Sequence, residues 1–433
     1  MLLYKTAESI LQKAKKHQGS VKNLVFAANY KNPKQLFALV CETLKYWDVL
    51  EEIISQSKLR IKASSEMAAL LVYDQLFGKG IQCGGKLKFL VAKHKLLLQS
   101  TLVRVKVKRG AVTNSELLSN EKSMEPLPKY LRINTLLIDK QSVVNHLVGD
   151  GYSIITKEKS LAKMEIKVDD HIANLLTFHH RTDLHDHPLY TNGKIIFQDK
   201  ASCMPAQILD PQPDTDVIDA CAAPGNKTSH IAALMKNTGK LFAFDLDDKR
   251  LKTMNKLLAK AGVKNCTTKC QDFLLVNPSD PMYSKVSSLL VDPSCSGSGI
   301  VSRLSKLVDK QSSDTETRLT ALSDFQTKVL NHALLFPHAK RIVYSTCSVH
   351  EMENEAVVKK VLAQNPKFML QQSMPSWKRR GNPTTGLEAE KLIRCDPVND
   401  QTNGFFVALI VKKHEIEGTP DKAKKPKRKR RKK

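Results

Sequence analysis

Two cysteines in this sequence stand where thiol chemistry is expected. Cys295 lies in Leu290-Val291-Asp292-Pro293-Ser294-Cys295-Ser296-Gly297-Ser298-Gly299, and Cys347 in Ile342-Val343-Tyr344-Ser345-Thr346-Cys347-Ser348. Each segment opens as a β-rich run and closes in small polar residues, the pattern of a strand that ends in a loop. A thiolate there is a soft nucleophile suited to covalent attack on an electron-poor carbon. A free thiol titrates near ~8.5, so a positive or N–H-rich pocket must favour the anion. Lys200 is a candidate for supplying that charge. On residue type alone, one thiol attacks and the other carries protons, in either assignment. Asp292, just before Cys295, can accept hydrogen bonds from a ring substrate and stabilise charge as the thiolate adds. The remaining cysteines, such as Cys41, Cys83 and Cys395, read as small buried side chains.

A ligand site is expected beside them. Asp219-Ala220-Cys221-Ala222-Ala223-Pro224-Gly225-Asn226-Lys227-Thr228 follows a β-rich run and opens a helix. Its small residues let backbone approach a ligand closely, and the unpaired N–H groups of a helix N-terminus suit a carboxylate. No G-x-G-x-x-G is present, which disfavours a nicotinamide dinucleotide. Asp245 ends the next β-rich run, where a carboxylate can accept from both hydroxyls of a ribose. Asp272, beside Phe273, ends the third and can meet an adenine amino group.

These residues work together only if their strands end on one edge. From residue 216 to 410, β-rich runs at 217–219, 241–246, 266–272, 289–292 and 342–346 alternate with helical segments, which predicts an α/β fold with a mostly parallel sheet. The last run, 405–411, has no crossover helix after it and is expected to run antiparallel. Ahead of it, 129–200 mixes short β-rich runs with a helical one, a small α/β unit. Residues 1–110 show apolar positions at three- and four-residue spacing, a basic α-helical domain, and 111–128 read as a linker. Residues 201–413 make the catalytic domain, and 414–433 are expected to be a disordered basic tail.

The formal net charge is +26, and its placement matters more than its size. Residues 1–110 carry 20 Lys/Arg against 7 Asp/Glu, and 420–433 carry 10 against 1. A near-neutral middle with basic flanks suits nucleic acid as partner, and the tail reads as a nuclear or nucleolar targeting signal. The apolar runs are far shorter than the roughly 20 residues that span a bilayer, so no membrane segment is expected. The nine cysteines are odd in number and widely spaced, with no secretory pattern, so free thiols are expected. No metal is expected: Cys266 and Cys270 lack a second ligand pair, and His185-Asp186-His187 reads as a loop. A monomer is expected.

Taken together, 219–228, 292–299, Thr346-Cys347-Ser348 with Glu353-Asn354-Glu355, Gln198-Asp199-Lys200-Ala201-Ser202 and Leu131-Arg132-Ile133-Asn134-Thr135-Leu136 resemble the NOP2/Sun family of RNA cytosine-5 methyltransferases. The resemblance covers about 127–411. It implies a Rossmann-like class I methyltransferase sheet behind an RNA-recognition-like α/β unit, with S-adenosylmethionine as cofactor. It further implies that Cys347 is the nucleophile and that Cys295 assists product release. Cofactor contacts are implied at Cys221, Ala222, Ala223, Pro224, Gly225, Asn226, Lys227, Asp245, Arg250, Asp272 and Asp292. Asn226 in place of a more usual Gly, and Asp292-Pro293-Ser294-Cys295 in place of Asp-Ala-Pro-Cys, resemble the eukaryotic branch acting on large-subunit ribosomal RNA, free or in a pre-ribosomal particle. A non-catalytic RNA-binding assembly factor on the same fold is the alternative. A DNA methyltransferase is disfavoured, because that class carries a Pro-Cys pair and here Ser294 precedes Cys295.

Overall fold

The computed structural model describes residues 1–16, 18, 21–59, 62–118, 126–156, 161–300 and 315–413. The basic tail, 414–433, lies outside the described residues. The N-terminal part is helical: α1 (Leu2–Lys15), α2 (Val21–Ala27), α3 (Pro33–Lys45), α4 (Trp47–Gln56), α5 (Ser65–Leu76), α6 (Lys86–Lys93) and α7 (Lys95–Arg109). Their starts follow from side-chain caps. Asn32 accepts from the Gln35 N–H at 3.1 Å and Ser64 from the Met67 N–H at 3.1 Å. Helix α5 is apolar nearly all round, from Met67 to Val72, and forms the centre on which the other helices pack. Residues 77–85, with Gly78, Gly80, Gly84 and Gly85, connect α5 to α6, and Lys86 and Lys88 belong to α6 itself.

Five strands follow around α8 (Lys140–Gly149): β1 (Lys129–Ile133), β2 (Ser153–Ile154), β3 (Glu165–Val168), β4 (Leu175–Phe178) and β5 (Ile195–Phe197), ordered β2-β3-β4-β1-β5. The short helix α9 (Pro188–Thr191) precedes β5, and His187 caps it by accepting the Leu189 N–H at 3.1 Å. His187 also meets Asp150 at 2.9 Å, so this loop histidine serves the local fold.

The larger sheet has eight strands. Its elements are α10 (Lys200–Leu209), β6 (Asp216–Asp219), α11 (Asn226–Leu234), β7 (Lys240–Asp245), α12 (Asp248–Lys260), β8 (Cys266–Cys270), β9 (Val286–Val291), α13 (Thr315–Ala333), β10 (Arg341–Thr346), α14 (Glu355–Gln364), β11 (Phe368–Leu370), β12 (Ile393–Cys395), α15 (Pro397–Asp400) and β13 (Phe405–Lys412). The order is β11-β13-β10-β9-β6-β7-β8, with β12 beside β13. Pairings from β10 through β8 are parallel, and β13 runs antiparallel to β10, as its missing crossover predicted. Both faces are covered, which is why β9 and β10 read as continuous apolar runs. Helix α10, absent from the sequence expectation because Pro205 lies inside it, packs on β9, β10 and β13. Arg341 closes its C-terminus by donating to the carbonyls of Ile208 and Leu209 at 2.6 and 2.8 Å. Among the described residues, no helix is long and apolar enough to cross a membrane.

The smaller sheet is tied to the larger one by buried polar side chains. Asn134 donates to the carbonyls of Gly193 and Ala261 at 2.9 and 2.8 Å. Arg132, fully buried on β1, donates to Gln198 Oε1 at 2.7 Å and to Ser229 Oγ on α11 at 2.8 Å. Asn134→Ala strands two carbonyls without a donor, at about 1–3 kcal/mol for each buried group. Denaturant unfolding of that variant is expected to show a lower midpoint; an unchanged midpoint would mean the junction is open to water.

Candidate active site

The C-terminal ends of β6, β9 and β10 lie side by side, and the chain reverses its strand order between β6 and β9. Ligands of open α/β sheets bind at such a switch point. The loop after β6 is stitched across it: the Ala220 N–H donates to Leu290 O at 2.9 Å and the Ala222 N–H to Phe244 O at 2.8 Å. The turn into α11 needs glycine. Gly225 has φ 99°, and a Cβ there would come within 2.8 Å of Met254 Cγ on α12. Asp245, nearly buried at the end of β7, accepts from the Ala223 N–H and the Asp247 N–H at 3.0 Å each. Arg250 lies 3.5 Å from Asp245 Oδ2 and donates to Ala223 O. Asp219 is fully buried and accepts from Thr228 Oγ1 at 2.7 Å. Burial outweighs that bond and pushes its carboxyl up to about 7.

The two cysteines converge. Cys295 Sγ and Cys347 Sγ are 3.1 Å apart, both as free thiols. The hydrogen bond to Cys347, then burial, then the nearby Asp292 and Glu353 carboxylates push the Cys295 thiol up. Lys227 faces the pair from α11. Burial by itself lowers its ammonium, but attraction to Asp292, Cys347 and Asp219 prevails and raises it. By reciprocity the Lys227 ammonium favours a Cys347 thiolate. Lys227 Nζ is 2.7 Å from Asp292 Oδ2, and Ser345 Oγ donates to Asp292 Oδ1 at 2.6 Å.

A buried carboxylate joins the two loops. Glu353 accepts from the Ser296 N–H at 2.8 Å, Ser296 Oγ at 2.6 Å, Gln326 Nε2 at 3.0 Å and Ser348 Oγ. Next to it, Asn354 accepts from Thr346 Oγ1 at 2.5 Å and donates to Ser348 O at 3.0 Å. Glu355 pairs with Arg394 at 2.5 Å. The backbone adds a clamp: the Gly299 N–H donates to Cys347 O at 2.9 Å, and the Gly404 N–H to Gly299 O at 2.8 Å. A Cβ on Gly299 would fall 1.9 Å from Gly404 O, so glycine alone permits the approach.

The chain is 43% identical over 437 residues to the 28S rRNA (cytosine-C(5))-methyltransferase of Mus musculus, covering 97% of this chain and 93% of that one. The chain belongs to the NOP2/Sun family. A second relative, 25S rRNA (cytosine-C(5))-methyltransferase rcm1 of Schizosaccharomyces pombe, is 42% identical, with 95% of this chain and 91% of the relative covered. Three family models match: NOL1/NOP2/Sun domain family member 5, N-terminal domain, at 34–118; its ferredoxin-like domain at 127–198; and 16S rRNA methyltransferase RsmB/F at 206–411. A solved methyltransferase homolog protein from Pyrococcus horikoshii shares the fold, with TM-score 0.55 at 24% identity over 84% of this chain and 99% of that one.

Of the residues that the family resemblance pointed to, Cys295, Cys347, Asp292 and Lys227 form one cluster, and Ala223, Gly225, Asp245 and Arg250 form the adjoining turn. Cys221 is half-buried, its thiol pushed up by burial and the neighbouring carboxylates. Asn226 offers its carbonyl to Arg132 at 3.4 Å. Asp272 caps its own turn through the Leu274 N–H at 2.9 Å. Lys200 does not serve the thiols: its Nζ sits 2.6 Å from Asp169 and 3.1 Å from His171 Nδ1. Lys227 supplies the charge instead, because α11 aims it across the sheet edge. Gln326 and Ser345 escaped the sequence reading, since neither carries a motif signal.

Three outcomes are expected. Hydrogen peroxide should join the thiols of Cys295 and Cys347 as a disulfide with release of two waters, detected as a linked peptide under non-reducing digestion. Glu353→Ala should lower the yield of that link and cost on the order of 3 kcal/mol, since several buried donors lose their acceptor; an equal yield would show that the loops hold without it. For Asp219, the folded state keeps a proton that the unfolded chain releases near 3.8. Its stabilisation is therefore full below that pH and is lost as pH rises through about 7. Asp219→Asn is expected to flatten the decline of stability across this window, read by urea unfolding at a series of pH values.

Proposed function

We infer that this chain methylates carbon 5 of a cytosine in large-subunit ribosomal RNA through a covalent adduct at Cys347. The observation that carries the reading is the 3.1 Å approach of two thiols beside a half-buried lysine–carboxylate pair, at the ligand-binding edge of a methyltransferase sheet. S-adenosylmethionine, when bound, supplies an electrophilic methyl group. The residues fit it. The glycine turn admits backbone close to a ligand, and Asp245 keeps spare lone pairs on both oxygens for ribose hydroxyls. Cys221, Ala222, Ala223, Pro224, Gly225, Asn226 and Lys227, with Asp245, Arg250, Asp272 and Asp292, would hold it.

Carbon 5 of cytosine is a poor nucleophile until carbon 6 is saturated. The Cys347 thiolate adds to carbon 6, forming the S–C bond while the ring electrons shift toward nitrogen 3. Nitrogen 3 takes up a proton from water as that charge builds, and Asp292, held by Lys227 and Ser345, accepts from the resulting N–H and from the amino group; the proton returns to water once carbon 5 is methylated. Carbon 5 would then take the methyl group, the S–CH3 bond breaking so that the donor sulfur keeps the electron pair as a neutral thioether. Once Cys347 is a thioether, its own share in holding up the Cys295 thiol is removed, while burial and the Asp292 and Glu353 carboxylates still act; Cys295 gives its proton to water before it serves as base. Its thiolate removes the carbon 5 proton, the carbon 6–sulfur bond breaks, and Cys347 leaves as thiolate. The basic flanks hold RNA, and the tail directs the protein to the nucleus and nucleolus, where ribosomal RNA is made.

Cys347→Ala is expected to abolish methyl transfer to ribosomal RNA, by about 10⁴-fold or more given total loss of the nucleophile. Cys295→Ala should instead accumulate a protein–RNA adduct that survives denaturing electrophoresis. Methylation by Cys347→Ala, or an adduct in Cys347→Ala and none in Cys295→Ala, would sink the assignment.

A further inference from the structure

The helical unit carries a surface that the chemistry does not use. From residue 75 to 115 the sequence holds nine Lys/Arg and no Asp or Glu. Lys108 and Arg109 pair with Glu52. Lys79, Lys86, Lys88, Lys93 and Lys95 are exposed, and none has an ion-pair partner among the described residues. Among them stands Phe89, 73% exposed on α6. Lys86, Phe89 and Lys93 lie at helical spacings of three and four and so share one face, while Val91 faces the core. An exposed phenylalanine flanked by unpaired ammonium groups is the arrangement that stacks a base and holds the phosphates beside it.

We propose that the α6–α7 surface, with Phe89 stacked on a base and Lys86, Lys88, Lys93 and Lys95 on phosphates, binds an unpaired stretch of the RNA substrate outside the active site. The inference rests on the RNA reading above. A single strand is specified because a ring standing out from a helix meets the face of a base only where that base is unstacked. Lysines without carboxylates nearby attract polyphosphate, and the counterions it releases make the binding steeply salt-dependent.

The test titrates fluorescein-labelled oligouridine into the full chain at several salt concentrations, with a duplex of equal length beside it. Replacing Lys86, Lys88, Lys93 and Lys95 together by Glu, or by Gln as the milder set, is expected to weaken oligouridine binding about tenfold or more. The salt slope should shrink by roughly 0.7 for each phosphate no longer neutralised. Phe89→Ala is expected to weaken binding about fivefold or more with the slope unchanged, because stacking releases no ions. Circular dichroism confirms that the helices persist. Unchanged affinity in the lysine variants, a neutral Phe89→Ala, or equal losses on the duplex would each overturn the proposal, the first leaving an acidic protein as the partner of this face. Running Cys347→Ala in parallel separates the two readings: failure of wild-type methyl transfer with normal Phe89-dependent binding would strike the enzyme reading alone.

Discussion

The carboxylate of Glu353 is fully buried and gathers donors from both sides of the sheet edge: Ser296 from the loop after β9, Ser348 from the loop after β10, and Gln326 from α13. A charge taken out of water is tolerable only where hydrogen bonds replace its hydration. Here the replacement comes from two loops that would otherwise drift independently, so the cost of burying Glu353 is offset only when both stand in place. The 3.1 Å separation of Cys295 and Cys347 follows from that requirement, reinforced by the Gly299 backbone clamp. Asn354 and Glu355 extend the same logic outward, one to Thr346 and the other to Arg394.

Charge is then distributed unequally between two chemically identical thiols. Lys227 lies against Asp292 and within electrostatic reach of Cys347, whereas Cys295 is hemmed by carboxylates and by Cys347 itself. The Cys295 thiol is therefore held up in part by its neighbour Cys347, so the state of one sulfur bears on the other.

Much of this was legible beforehand, for identifiable reasons. Parallel strands buried on both faces leave uninterrupted apolar runs, so β6, β7, β9 and β10 were visible with their ends marked by Asp219, Asp245, Asp292 and Cys347. The antiparallel course of β13 was expected from the lack of a crossover helix after it. The strands β3, β4 and β5 were missed because each spans three or four residues, too short for a period to register. Helix α10 was hidden by Pro205, and its stability comes from packing and from Arg341 at its end, both remote in sequence.

The sequence by itself determined the reagents: two strand-end thiols, a glycine turn, acidic strand termini and basic flanks, because these depend on residue type and on local periodicity. Tertiary structure alone decided which groups act on one another. Lys200 and Lys227 are equal as lysines, yet one is spent on Asp169 and the other reaches Asp292, since the direction of a side chain is set by the helix that bears it. Likewise Glu353 is one acid among many until folding removes it from water, and only then does its need for donors bind the two cysteine loops together.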